Sequence, residues 1–469
     1  MSHSANRMRR RYPIAAILAL LTIAATDFGG AQQQKRSLSP TLTITNVAIV
    51  DVKTGSLQPR STVVVRDARI ESIESTDRGA AGGRIIDGTG RFLIPGLCDM
   101  HVHLSQATEA SLPLLIASGV TFARDMGSDF AEIQRWRRAI EAGNLVGPRI
   151  VAAGPKLDGE GSLAPDRRIV RTAKEARETV AGLAAAGVDF VKVHAGLDRA
   201  RFLAIASESR AQGLAFAGHI PDDMMPGDAA RVGIKSIEHF SGFPLPCSDG
   251  LKRALERERW TIVRKRCASD SDRLRQFAEL RARGTWVTPT LVSYRGLAEV
   301  IDPRGYSDPR WQYVPSALRQ SWEKEARSIV ANFNPGKRDV STWRRVFECY
   351  GALTMEAQRS GVGLLTGTDL GNPLVSPGFD LHDELALMVQ AGLTPAQALR
   401  AATANAAEFL GKSQQLGSVE KGQFADFVLL DADPLMDIGN LRRIRAVIAN
   451  GRLFERDELD ELLARARSK

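Results

Sequence analysis

The stretch LIPGLCDMHVHL, residues 93–104, runs through apolar side chains and ends on two histidines one residue apart. A short apolar run bounded by Pro-Gly and polar residues reads as a buried strand. His101 and His103 then stand at i and i+2 on one side of it, where two imidazoles can approach one ion together. Imidazole nitrogen holds zinc at about 2.0–2.1 Å, a distance within reach of such a pair. The alternative is two ordinary core histidines. The chain has 7 histidines in 469 residues, and the placing of the other five weighs between the two.

Working outward, eight strand-like segments follow one another: LIPGLCDMHVHL, GVTFARDMG, PRIVAAG, VDFVKVHAG, LAFAGHI, SIEHF, TWVTPTLV and GLLTGTD. Helical patterns separate most of them. After the last, Thr394 as N-cap and Pro395 in the first turn open a helix through AQALRAATANAAEFLG. Strands alternating with helices over residues 93–413 predict an α/β fold, a (β/α)8 TIM barrel. Residues 41–92 and 414–456 are different, with short β-rich runs such as TLTITNVAIVDVKTG and GQFADFVLLDADP split by turn signals. The two ends are expected to pair into one small β-sandwich, with residues 457–469 left as a C-terminal tail.

His3 lies in the N-terminal segment. Of the rest, His101 and His103 end strand 1, His194 lies near the end of strand 4, His219 ends strand 5, His239 ends strand 6, and His382 follows strand 8. A barrel of this kind builds its site at the C-terminal ends of its strands. Histidines from strands 1, 5 and 6 therefore converge on one mouth, which favours a metal site over core packing. Asp369 ends strand 8 in LLTGTD, either as ligand and proton acceptor or as a turn cap before Gly371. Lys192 stands mid-strand between Val191 and Val193. A buried lysine has to be paired, with Asp99 for instance, or neutral, or chemically modified. A neutral amine takes up carbon dioxide as a carbamate, an anion able to bridge two cations.

The connection at residues 293–343 holds Tyr294, Tyr306, Trp311, Tyr313, Trp322, Phe333 and Trp343. It forms either a lid over the mouth or helices on the barrel exterior.

Bulk properties exclude some function classes. The composition, 43% hydrophobic and 25% charged, is that of a folded globular chain. Of the net +9, the first 31 residues carry a surplus of three, from four arginines against Asp27. The remainder is spread thinly, and basic runs such as Arg264-Lys265-Arg266 are broken by acidic ones, so no nucleic-acid groove is expected. MRRR followed by the apolar run Ile14 to Ala25 and small residues up to Ala31 reads as a signal peptide over 1–31, with a linker over 32–40. The run is short for a membrane span, so the expectation is a periplasmic or secreted protein without stable membrane insertion. Export permits disulfides. Cys247 and Cys267 flank a charged insertion and can bridge, whereas Cys98 and Cys349 read as buried thiols.

HVH after an apolar strand, the strand-4 lysine, HI on strand 5, SIEH on strand 6 and TGTD on strand 8 together resemble the amidohydrolase superfamily. More narrowly the chain resembles its imidazolonepropionase-like group, with the prolidase-like Xaa-amino-acid dipeptidases. The resemblance runs over residues 41–455. It implies that His101, His103 and Asp369 hold one divalent ion, probed most naturally as zinc. His219 and His239 would hold a second, and carboxylated Lys192 would bridge them. His194, Tyr294 and His382 are left as substrate-facing residues. It further implies hydrolysis of a C–N amide bond by a hydroxide shared between the ions, with Asp369 as general base and then acid. Export favours dipeptides or N-acyl amino acids as substrates, and Arg167, Arg168 or Arg295 is a candidate clamp for a substrate carboxylate. The loop GPKLDGEGSLAPDRRIV departs from the Gly/His-rich loop of dipeptidase relatives. A lactone, ester or phosphotriester hydrolase on the same metals and a non-catalytic binding protein are the rival readings. A homo-oligomer is compatible with the chain.

Overall fold

Alternating apolar residues in LTITNVAIVD and its neighbours fold into sheet, as the period of two requires. The computed structural model describes residues 41–75, 83–160, 166–258, 266–300, 308–333 and 339–467. The expected signal peptide and linker lie outside these, as do Arg264, Lys265 and Tyr306. The first five strands are β1 (Leu42–Asp51), β2 (Ser56–Arg66), β3 (Arg69–Glu74), β4 (Arg84–Asp87) and β5 (Phe92–Pro95). Five more follow: β6 (Leu97–Val102), β7 (Val120–Asp125), β8 (Arg149–Ala152), β9 (Lys156–Asp158) and β10 (Arg167–Ile169). Then come β11 (Val191–Val193), β12 (Phe216–Gly218), β13 (Ser236–Glu238) and β14 (Trp286–Thr288). The chain returns to the first sheet with β15 (Phe427–Leu430), β16 (Ile444–Ala449) and β17 (Arg452–Glu455).

The two chain ends do pair. They make one eight-stranded sheet in the order β17-β16-β15-β5-β1-β2-β3, with β4 beside β1. The join is antiparallel, Phe92 opposite Leu430 and Pro95 opposite Phe427. Alternation then gives the sheet two destinations. Phe427 and Leu429 share a small apolar cluster with Ile44, Val63 and Ile448, while Val428 and Leu430 join the main core. Residues from both ends of the strand order meet in the small cluster, so one curled sheet does the work expected of two facing ones. The expected tail is a helix, Arg456–Arg467, that buries Leu459 completely in the main core.

The middle strands are parallel and separated by helices, as expected. Among the described residues they do not form one continuous closed sheet. β6-β7-β8 form one sheet and β10-β9-β11-β12-β13-β14 another. Strand 3 of the expected eight, PRIVAAG, is β8, and the segment read as a loop after it carries two further strands, β9 and β10, set off by Gly154, whose φ of +71° turns the chain just before Pro155, which has no donor to offer. The eighth segment, GLLTGTD, is irregular. Isolated bridges join Leu364 to Val287 and Leu370 to Val102, and Asp369 N donates to His101 O at 2.7 Å. Thr368 N turns instead to the Asp99 carboxylate at 3.0 Å, so a side chain takes the place of a ladder bond.

The long connection is helical: Leu291–Val300, a short 3-10 turn at Pro309–Tyr313, Ser316–Phe333 and Val340–Arg359. Trp311 meets Trp322 edge-on at 6.0 Å, and with Val314 and Leu318 they pack against Leu374, five residues beyond Asp369. Asp383 draws in Arg295 at 2.9 Å, Arg310 at 2.9 Å and Arg442 at 2.5 Å. The first two pairs fasten the connection to the helix Phe379–Gln390, and the third adds the turn Ile438–Arg442.

Candidate metal centre

The tautomers of three histidines can be read from their partners. His101 Nδ1 donates to Glu238 Oε2 at 2.8 Å, and His103 Nδ1 donates to the Gly127 carbonyl at 3.1 Å. His239 Nδ1 meets Thr290 Oγ1 at 2.6 Å, and that hydroxyl gives its own proton to Pro289 O at 2.8 Å, so the imidazole is again the donor. Each ring therefore carries its proton on Nδ1 and turns an Nε2 lone pair elsewhere.

All three lone pairs turn toward Asp369. The Nε2 atoms of His101 and His103 lie 3.4 and 3.3 Å from Oδ1, and that of His239 lies 3.9 Å from Oδ2. Lone pairs facing a carboxylate repel unless a cation lies among them. His101, His239 and Asp369 present ligand atoms all within 4.8 Å of one another. His101 Nε2 is sealed from solvent with no hydrogen-bond partner among the described residues. Burial first, then neighbouring positive groups including Lys192, pushes His101 well below the ordinary imidazole range. Burial and then Lys156 bring His103 to about 4. The rings are thus neutral, the form that binds metal. The backbone is also committed, with φ of +58° at His239 and +63° at Asp369, conformations that a β-carbon-bearing residue adopts at a cost of about 1–3 kcal/mol.

His219 completes the ring of imidazoles, with centroid distances of 5.0 Å to His239 and 4.4 Å to His194. His194 donates from Nδ1 to Asp158 at 2.8 Å. Lys192 is fully buried, and its Nζ has no hydrogen-bond partner among the described residues. Asp99 does not pair with it, because Thr368 Oγ1 at 2.6 Å and the amides of Thr368 and His101 take its oxygens. Burial pushes the Lys192 ammonium down to about 7, which leaves much of it as the free amine. This donor set fits divalent ions and a carbamate.

Other expected site residues lie elsewhere. His382 sits on the helix Phe379–Gln390, and its Nε2 donates to Ser118 O at 2.9 Å, the opposite tautomer from the site histidines. It is a core residue, not a substrate contact. Tyr294 stacks on Tyr350 at 3.8 Å and donates its hydroxyl to His239 O at 2.7 Å, so it braces a ligand from behind. Arg295 is held by Asp383, and Arg167 and Arg168 project from the exposed edge strand β10.

Two residues behind the centre escaped the sequence reading. Arg124 on β7 is buried and reaches across to Ser236 at 3.0 Å, both oxygens of Glu238 at 3.0 Å and Thr288 at 3.2 Å. Glu238, in turn, orients His101. A charged residue inside an apolar strand marked Lys192, and the same mark was present in TFARD and SIEH.

Comparison with known proteins agrees with this geometry. The amidohydrolase family profile matches residues 92–302 and 352–454. The chain is 27% identical over 389 residues to an imidazolonepropionase of Klebsiella pneumoniae (strain 342), covering 80% of this chain and 87% of that protein. The structure of a bottromycin amidohydrolase superposes with a TM-score of 0.72 at 25% identity, covering 91% of this chain and 90% of that one. A Xaa-Pro dipeptidase with methionine in its active site superposes at 0.66 and 21% identity, covering 88% and 100%, a likeness of fold. With a profile match over most of its length and a histidine–aspartate centre suited to a cation, the chain belongs to the amidohydrolase family and is a metal-binding hydrolase of carbon–nitrogen bonds.

Proposed function

We propose that the chain is an exported amide hydrolase that works with two divalent ions, zinc foremost, on dipeptides or N-acyl amino acids, at the mouth of a closed (β/α)8 barrel. His101, His103 and Asp369 would hold one ion and His219 and His239 the other, with Lys192, as its carbamate, supplying an anionic oxygen ligand between them. The observation that carries this reading is the set of three Nδ1-anchored imidazoles whose lone pairs face one carboxylate. Arg124 supports the barrel, since it joins β7 of one sheet to β13 and β14 of the other through the interior. The apolar N-terminal run and the Cys247–Cys267 disulfide support export.

When bound, the ions supply an activated water at neutral pH and polarise the substrate carbonyl. The chain's own residues do the rest. Asp369 takes a proton from the attacking water and returns it to the leaving amine. Ser293 Oγ at 3.2 Å and Asn372 Nδ2 donate to Oδ2 and fix its direction. Glu238, the Gly127 carbonyl and Thr290 keep the imidazoles in the tautomer that presents Nε2.

The test is metal content per chain after purification with bicarbonate, together with hydrolysis of a dipeptide and N-acyl amino acid panel, for the native chain and Lys192→Ala. Two ions with amide cleavage, both diminished in Lys192→Ala, are expected. One ion or none after reconstitution, or an unaffected Lys192→Ala, overturns the binuclear reading. Two ions with cleavage only of esters or lactones overturns the substrate class.

A further inference from the structure

Beside the proposed metal centre lies a second buried lysine that the reaction scheme leaves without a task. Lys156 on β9 is 3% exposed. Among the described residues its ammonium has no hydrogen bond, and no carboxylate comes within ion-pair distance, although Asp166, Asp369, Asp125 and Asp158 all lie close enough to act on it. Its stem crosses Gly127. A Cβ there would stand 2.4 Å from Lys156 Cγ, and φ at Gly127 is +146°. The Gly127 carbonyl is the group that holds His103. The lysine therefore lies across the support of a metal ligand, and its charge bears on both His103 and Asp369.

Burying an ammonium without a partner is costly. A neighbouring apolar side chain would fill the same space without that penalty. The expected arginine clamps do not reach the centre: Arg295 is taken up by Asp383, and Arg167 and Arg168 project from an exposed edge. A buried amine nonetheless lies beside the centre, with only Gly127 between its stem and His103.

We infer that Lys156 is the specificity determinant of this site and binds the free carboxylate of the substrate, next to the scissile amide. The inference rests on the amide-hydrolase reading above and narrows it. The preferred substrates carry an ionised carboxylate one residue or less from the bond that is cut, and their carboxamides are poor. A charge-assisted hydrogen bond of this kind contributes about 1.5–3 kcal/mol, so the acid should exceed its carboxamide by about 10- to 100-fold in kcat/KM.

The test compares each cleaved substrate with its carboxamide in the native chain, Lys156→Ala and Lys156→Arg, with metal content verified for all three. Alongside, calorimetry measures binding of the amino-acid product and of its amide to the metal-loaded protein. Native preference for the acid, its collapse toward unity in Lys156→Ala, substantial retention in Lys156→Arg and a parallel change in product binding are expected. Equal losses on acid and carboxamide, or an unchanged ratio, overturn the inference. Failure of the native chain to cleave any amide is a failure of the amide-hydrolase reading and shows as such, and an unaltered preference in product binding by Lys156→Ala would then still overturn the role given to this lysine.

Discussion

Replacing Glu238 by glutamine keeps the shape of the side chain and removes its charge, and the structure says what must follow. Oε1 accepts from Ser236 Oγ at 2.5 Å and Oε2 from His101 Nδ1 at 2.8 Å, while Arg124 Nη2 lies 3.0 Å from both. A glutamine amide placed at the Oε1 position faces the guanidinium donor for donor. Placed at the Oε2 position, it donates to His101 Nδ1, moves the imidazole proton to Nε2 and blocks the lone pair that faces Asp369. Both orientations leave Arg124 buried without a full counter-charge, and breaking such a pair costs about 3–5 kcal/mol. Retained bonds to Met100 O, Ser236 and Thr288 place Glu238→Gln at the lower end, about 3 kcal/mol. Metal affinity falls a further 10- to 100-fold, the usual effect of losing the group that orients a ligand imidazole. Urea unfolding of the metal-free protein reads the first quantity and competition against a chromophoric chelator the second. Metal affinity within twofold of native would refute the tautomer argument, even if stability fell. The double variant Arg124→Met, Glu238→Gln should recover part of the stability and none of the metal affinity.

Two other predictions concern the scaffold. The Cys247–Cys267 bridge closes a loop of 20 residues, so replacing both cysteines by serine should lower stability by about 3 kcal/mol in the chain-entropy model. An unchanged urea midpoint would contradict that. His382, pushed down to about 4 by burial and then by Arg442, stays neutral in the fold while the unfolded chain takes up a proton below pH 6.5. Its contribution is therefore intact above that pH and is lost as pH falls toward 4, by about 3 kcal/mol. His382→Gln should remove about one proton from the pH dependence of unfolding between pH 4 and 6.5, and identical slopes for both proteins would rule this out.

Residues whose placement is fixed by strand position were legible. His101 and His103 needed only a period of two, and Lys192 announced itself as a charge in an apolar strand. His382 misled because sequence places it after strand 8 but not on a helix face; the first turn of the helix Phe379–Gln390 suffices to carry it to Ser118. Glu238 and Arg124 were missed for a different reason. Their partner choice is decided across the interior between β7, β13 and β14, and no local pattern records which distant strand a side chain will meet. Strand 8 illustrates the same limit: its ladder is interrupted because Asp99, far away in sequence, takes the Thr368 amide. The helix opening at Thr394 was legible from that N-cap and Pro395, yet it stops at Ala401 and resumes at Ala404. Thr403 Oγ1 bonds back to Leu399 O at 2.7 Å, a habit of threonine that loosens helices.

The sheet that unites the chain ends sets an order of assembly. β5 runs through Gly96 directly into β6, the strand that bears His101. One edge of β5 is covered by β1, close to it in sequence, but its other edge waits for β15, far along the chain. Contacts of such long sequence separation form late, because loop closure must come before any gain from pairing. A partly folded chain therefore holds both strand-1 histidines before their supporting strand is clamped on both sides. The strand that bears both histidines is thus clamped on both sides only once the pairing of longest sequence separation has formed, so the scaffold of the site is among the last parts of the fold to set.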